Sequence, residues 1–171
     1  MPFSTTGSVI STDLDNMLRG LFRDNSDTAL TGTIVETNLK SVSISANTIG
    51  PTGGLFIKAI GSAIGAGGSK TVKLWIGATV LTTLTVPSGN QCWFIKAWIY
   101  NTATGAQRVY VEAGSIPAVV GVAGVPVLSY EYETAAEDTT QNKTLKTTVA
   151  LASAGDTLTH AMWAGYVAQI T

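Results

Sequence analysis

Along most of the chain, apolar and polar residues alternate with a period of two, and short turn-forming stretches interrupt the alternation. Successive side chains of a strand point to opposite faces, so this pattern predicts strands, each with at least one buried face. The densest stretch is Gln91–Thr102, QCWFIKAWIYNT, in which Trp93, Ile95, Ala97 and Ile99 share one face and Phe94, Lys96, Trp98 and Tyr100 the other. Apolar bulk on both faces predicts a strand covered on both sides. A single core covers one of them. The face with Phe94, Trp98 and Tyr100 is expected to pack against a second layer or a sister subunit. Lys96, set among those rings, is expected to pair with a carboxylate or keep its head in solvent.

Further strands are predicted at Thr33–Thr37, Leu39–Ala46, Gly54–Gly61, Lys70–Ile76, Thr79–Val86, Gln107–Gly114, Val125–Thr134, Lys143–Leu151 and Leu158–Ile170. Between them lie turn sequences such as Gly50-Pro51-Thr52-Gly53-Gly54, Pro87-Ser88-Gly89-Asn90 and Ala154-Gly155-Asp156. In Val125–Thr134 the face Leu128, Tyr130, Tyr132 opposes Ser129, Glu131, Glu133. Strands at this spacing predict an all-β fold, an antiparallel β-sandwich of jelly-roll type. An immunoglobulin-like sandwich is the main competitor, but it is usually shorter and has a core cysteine pair. The stretch Ser115–Pro126 is apolar, Gly-interrupted and unpatterned, and reads equally as a buried crossover or as an exposed loop that contacts a partner.

The start of the chain departs from this period. Ser11-Thr12 can cap a helix, with Asp13 and Asp15 in its first turn, where the helix dipole favours them. Leu14, Met17, Leu18, Leu21 and Phe22 then recur at helical spacing, which predicts a short N-terminal amphipathic helix with one apolar stripe, ended by Asp24-Asn25-Ser26-Asp27. Gly20 weakens it by about 1 kcal/mol relative to Ala, so it needs a surface to pack on. That surface is either the base of the chain's own sheet or a larger assembly. The expected organisation is an attachment segment over residues 1–32 and a sandwich domain over residues 33–171.

Composition sharpens the picture in one respect. Charged residues make up 12% of the 171, about half the usual share of roughly 25%. A surface so poor in charge is expected to be partly buried against partners. The formal net charge is -1 and no Lys or Arg run provides a footprint for nucleic acid. No secretory signal is visible and no stretch nears the roughly 20 apolar residues that span a bilayer, so membrane insertion is not expected. Cys92 is the only cysteine, which excludes a disulfide within the chain and a cysteine-based metal cluster.

Several phrases are familiar in this order: SANTIGPTGGL, GGSKTVKLWIG and IYNTATGAQRV, preceded by the Asp13–Arg23 segment and DNSDTALTGT. Together with the last strand they cover roughly residues 33–171. The series resembles small β-sandwich proteins and fibre-tip domains encoded among the structural genes of tailed bacteriophages. The resemblance implies a jelly-roll subunit, commonly trimeric, displayed on the virion, and it brings no catalytic residues with it.

Candidate chemistry is sparse. His160 is the only histidine and has no Cys or His partner nearby in sequence, so a structural role is expected over a base or metal ligand. Cys92 reads as a buried thiol. Glu131, Glu133, Glu137 and Asp138 cluster along one strand and its exit. Paired carboxylates can hydrolyse glycosidic bonds, but a solvated acidic face is the expected reading. Gly65-Ala66-Gly67-Gly68-Ser69-Lys70 leads into a strand and lacks the Walker spacing, so it is read as a turn. Aromatic residues on strand faces can pack between subunits or stack on sugar rings. Leu14, Met17, Leu18, Leu21, Phe22, Phe94, Trp98 and Tyr100 are therefore expected at interfaces, with Trp75 and Tyr110 as glycan-contact candidates. The sequence-level expectation is a non-enzymatic virion protein with no catalytic, cofactor or metal site. It is made in the host cytoplasm and assembled as a homotrimer on the phage particle against capsid or tail proteins. Capsid decoration is preferred; a tail fibre or tail tip that contacts a host receptor is the alternative.

Overall fold

The computed structural model describes residues 19–118 and 127–168. Within them the chain forms strands β1 (Arg19–Asp24), β2 (Thr28–Thr31), β3 (Thr37–Ile44), β4 (Gly54–Ile64), β5 (Lys70–Ile76) and β6 (Thr79–Val86). These are followed by β7 (Gln91–Ala103), β8 (Ala106–Pro117), β9 (Val127–Ala135), β10 (Lys143–Ala150) and β11 (Thr157–Ala168). One antiparallel sheet runs β1-β11-β4-β7-β8-β9, with β2 also paired to β11; the other runs β3-β10-β5-β6. The chain is thus an antiparallel β-sandwich, as its alternation predicts. Strands pass repeatedly between the sheets, while β7-β8-β9 form a meander and β5-β6 a hairpin.

The core lies between the sheets. From the larger sheet come Leu55, Ile57, Ala59, Trp93, Ile95, Ile99, Val109, Val111, Leu158 and Trp163; from the smaller come Ile44, Val72, Leu74, Ile76, Leu84, Leu145 and Val149. Two glycines make room for the largest rings. Gly61 pairs across strands with Trp93, and a Cβ there would sit 2.5 Å from the indole. Gly165 pairs with Phe22, whose ring would be 2.2 Å from such a Cβ and which meets Trp163 edge-on at 5.4 Å.

That second pairing corrects the predicted helix. Leu21 and Phe22 lie on β1, which pairs antiparallel with β11, and both pack against the core. Local helical spacing is outweighed here by the free edge of β11 and the space above Gly165, an instance of tertiary context overriding a weak propensity. Leu14, Met17 and Leu18 lie outside the described residues, as do residues 119–126 of the apolar stretch after β8. Asp24 does not end a helix; it is the last residue of β1, accepts hydrogen bonds from the Ser26 amide and hydroxyl, and pairs with Lys40 at 2.9 Å. The predicted strand Thr33–Thr37 is a loop up to the start of β3. In it Glu36 reaches Lys73 and the Thr148 hydroxyl, and those bonds hold its carboxyl below the usual carboxylate range.

Buried polar groups fix the corners. Lys70, wholly buried at the start of β5, donates to the Gly65 and Gly68 carbonyls and faces Asp156 at 3.5 Å. Asp156 in turn accepts from the Gly67 amide. The glycine-rich stretch before β5 is therefore a turn wrapped around a lysine, as its poor match to a phosphate loop implies. Glu137 accepts from the Ala78 and Thr79 amides, the Thr79 hydroxyl and Lys143, tying the β5-β6 turn to the link between β9 and β10. Burial pushes the Glu137 carboxyl up, but these donors outweigh it and hold the group below the usual range.

Candidate functional site

The two outward faces of the sandwich differ in chemistry. On the smaller sheet, the outward positions are Ser41 and Ser43 on β3, Thr144 and Lys146 on β10, Thr71, Lys73 and Trp75 on β5, and Val80, Thr83 and Thr85 on β6. Trp75 is the single large ring among them. It donates to Thr148 and is covered by Lys146, whose ammonium lies 4.7 Å from the ring centre. This is an ordinary solvated sheet face.

The larger sheet presents the opposite. Cross-strand register places Tyr166, Phe56, Trp98, Tyr110 and Tyr132 side by side on five neighbouring strands, β11-β4-β7-β8-β9. At about 4.8 Å between strands the row spans roughly 19 Å. Ring centres are 6.1 Å apart for Phe56–Tyr166, 5.0 Å for Phe56–Trp98 and 5.4 Å for Trp98–Tyr110. Tyr132 is 63% exposed, and Tyr110 and Tyr166 are open to solvent as well. A parallel row holds Met162, Ile60, Phe94, Gly114 and Leu128. Between the two rows run Ala164, Lys58, Lys96, Glu112 and Tyr130, the last 61% exposed. Lys96 pairs with Glu112 at 3.0 Å, as its position among rings requires.

Two shallow hollows open on this face. One, of about 280 Å³, is bounded by Gly54, Phe56, Trp98, Tyr100 and Ala168. The other, of about 260 Å³, lies between Ile60, Cys92, Phe94, Ile116 and the stems of Lys58 and Lys96. An exposed apolar face of this breadth is the candidate interaction surface of the molecule.

Phe94, Trp98, Tyr100 and Tyr110 therefore share one face, while Trp75 lies on the opposite side of the molecule and joins no aromatic group. Cys92, expected to be buried, is exposed on the same outward face, two positions from Phe94. Its parity along β7 already assigns it there. Phe56, Tyr130, Tyr132 and Tyr166 belong to the surface too. Alternation marks the face of Tyr130 and Tyr132, whereas Phe56 and Tyr166 become visible only through register.

The acidic residues do not converge. Glu131 and Glu133 line a shallow groove against Val80–Thr83 on the other side of β9, Glu137 is the buried clamp described above, and Asp138 closes a turn through Thr140. Hydrogen bonds from the Thr140 hydroxyl and amide hold the Asp138 carboxyl below its usual range. Among the described residues, no group of three or more His, Cys, Asp or Glu side chains could hold a metal ion.

His160 is structural. It is fully buried between Trp93 and Trp163, each 5.3 Å away by ring centres. Its Nε2 lies 3.2 Å from the Met162 carbonyl, which can only accept, so Nε2 carries the proton and Nδ1 accepts from the Thr147 hydroxyl at 2.9 Å. Burial first, and the nearby Lys40 charge second, push its pKa down to about 4. The folded state therefore binds fewer protons than the unfolded chain between that value and the ordinary 6.5, and stability must fall as pH drops through this window. From pH 7 to pH 5 the loss is about 2 kcal/mol, to be read as a lower urea midpoint. His160→Gln should flatten the dependence. Equal midpoints for the parent protein at the two pH values would contradict it.

No family model matches the chain, and no curated protein matches it. Among solved structures, the chain is similar to the CBM2 module of the evolved Dit of Lactobacillus casei BL23 phage J-1, at 7% identity, covering 91% of this chain and 98% of that one with a TM-score of 0.44. Peanut lectin follows at 9% identity, covering 90% and 99%, with a TM-score of 0.38. The VP2 subviral particle of infectious bursal disease virus is 11% identical over 88% of this chain and 32% of that one, with a TM-score of 0.38. Likenesses this distant say nothing of what the present chain binds.

Proposed function

We propose that this protein is a non-enzymatic bacteriophage virion component, a jelly-roll subunit that assembles as a homotrimer by burying the outward face of its larger sheet. The contrast between the two outward faces carries this reading. One face is mostly Thr, Ser and Lys with Trp75 as its one large ring; the other holds two rows of aromatic and aliphatic side chains with Lys58 and the Lys96–Glu112 pair between them. Aromatic rings of this kind dominate the energy of subunit interfaces. A closed three-fold ring is built from heterologous contacts, in which this strip meets a different part of the neighbour's surface, and it leaves the polar face outward. The resemblance of several phrases to tailed-phage structural proteins supports the setting, and capsid decoration against the major capsid protein is the role proposed. A particle map is expected to show the subunit in many copies on the capsid, and particles lacking it should lose heat resistance. A few copies confined to the tail would contradict that role.

The aromatic row itself favours a second reading, a tail fibre or tail tip that binds a host surface glycan. A strip of rings about 19 Å long can stack several sugar residues. Soluble protein should then compete with phage for adsorption, and Tyr132→Ala should abolish the competition. Hydrolysis is not part of either reading: release of reducing sugar from host polysaccharide, lost in Glu131→Gln, would overturn the non-enzymatic assignment.

A further inference from the structure

We propose that the part of the neighbour's surface that covers the aromatic face is the groove between β6 and β9, with Lys58 of one subunit entering beside Glu131 and Glu133 of the next. The proposal rests on the homotrimer reading and adds to it the second half of the contact, which a heterologous ring requires.

Charge carries the argument. Among the described residues, the outward face of the larger sheet holds Arg23, Lys58, Lys96 and Arg108 against a single acid, Glu112. Register sets Arg23, Ala164, Lys58, Lys96 and Glu112 in one line across β1-β11-β4-β7-β8. Lys58 stands directly opposite Lys96, a like-charge pair that costs stability. Glu112 compensates Lys96, while Lys58, Arg23 and Arg108 form no ion pair among the described residues. The face therefore calls for a partner that brings acid as well as apolar surface.

The chain itself carries such a surface. β6 and β9 are end strands of the two sheets, and the groove between them is bounded by Val80–Thr83, Glu131 and Glu133, with no cation in its lining. The two glutamates are two positions apart on β9, about 7 Å. Glu131 accepts from the Ser129 hydroxyl, and neither carboxylate has an ion pair among the described residues. Thr82 lines the same groove at 3% exposure, and its hydroxyl has no hydrogen-bond partner among the described residues. An ammonium carries three donors and no acceptor, so one seated here can meet both carboxylates and supply the hydroxyl with a donor.

Strand β9 joins the two surfaces. Tyr130 and Tyr132 on its outward side belong to the aromatic face, and Glu131 and Glu133 on its other side belong to the groove. Face and groove thus occupy adjoining sides of one subunit, so each copy can offer its face to one neighbour and its groove to the other.

Sedimentation of charge-reversal variants of the full chain tests this. Lys58 is partly exposed and Glu133 exposed in one subunit, so Lys58→Glu and Glu133→Lys should keep the circular dichroism and urea midpoint of the parent protein. Each alone should raise the concentration needed to form trimer by about tenfold or more, because it sets like charges against each other in the contact. Together they exchange the two charges and should recover most of that loss. A double variant no better than the single ones, or Glu133→Lys protein that assembles like the parent, would overturn the proposal and leave the trimer itself in place. A monomeric parent protein would overturn both.

Discussion

Lys70→Ala is expected to destabilise the fold by about 3–5 kcal/mol, the usual consequence of removing one partner of a buried ion pair. Lys70 is fully buried and Asp156 nearly so, and the ammonium also satisfies the carbonyls of Gly65 and Gly68. Removing it strands the Asp156 charge against the Gly67 amide alone and leaves the turn before β5 without its central anchor. For a chain of this length the melting temperature should fall by roughly 10 °C. Replacing both partners, as Lys70→Met with Asp156→Leu, removes the stranded charge and should recover part of the loss, because an apolar pair of similar volume needs no desolvated partner. A single variant no less stable than the double variant would show that the pair carries little weight.

The second large effect concerns assembly. Trp98→Glu is expected to yield a folded monomer. Trp98 sits at the centre of the aromatic row, in contact range of Phe56 and Tyr110, and its side chain is only partly covered within one subunit. A carboxylate there costs little while the face is open to water. Once two faces meet, it becomes an unpaired charge in a desolvated interface, and the loss of a central aromatic anchor removes about 2–4 kcal/mol per contact. Sedimentation should therefore change from trimer to monomer while circular dichroism and the urea midpoint stay close to those of the parent protein. Lys73→Glu, on the polar face, is the control that should leave assembly intact.

Much of the fold was legible because turn chemistry punctuates the strands. Lys70–Ile76 and Thr79–Val86 match β5 and β6 residue for residue, bounded by Gly68, Gly77 and Pro87. Legibility failed where pairing overrode pattern. Leu21 and Phe22 follow helical spacing, yet the bare edge of β11 and the missing side chain of Gly165 draw them into β1. Ile34 and Val35 look like strand residues but stay exposed in a loop held by Glu36. The candidate surface was half legible. Alternation within β7 separates Phe94, Trp98 and Tyr100 from the core face, and alternation within β9 separates Tyr130 and Tyr132. Joining them into one row requires knowing which strands are neighbours and in what register, and a period of two contains neither. The same limit explains Trp75 and Tyr110: parity puts each on a partly polar face, but only topology assigns them to opposite sides of the molecule.

Sedimentation equilibrium of the full chain at micromolar concentration tests the central claim most directly, because the claim rests on a face that one subunit leaves uncovered. The expected result is a single species of three times the 17.7 kDa chain mass, which Trp98→Glu converts to monomer. A parent protein that sediments as a 17.7 kDa monomer at those concentrations would contradict it.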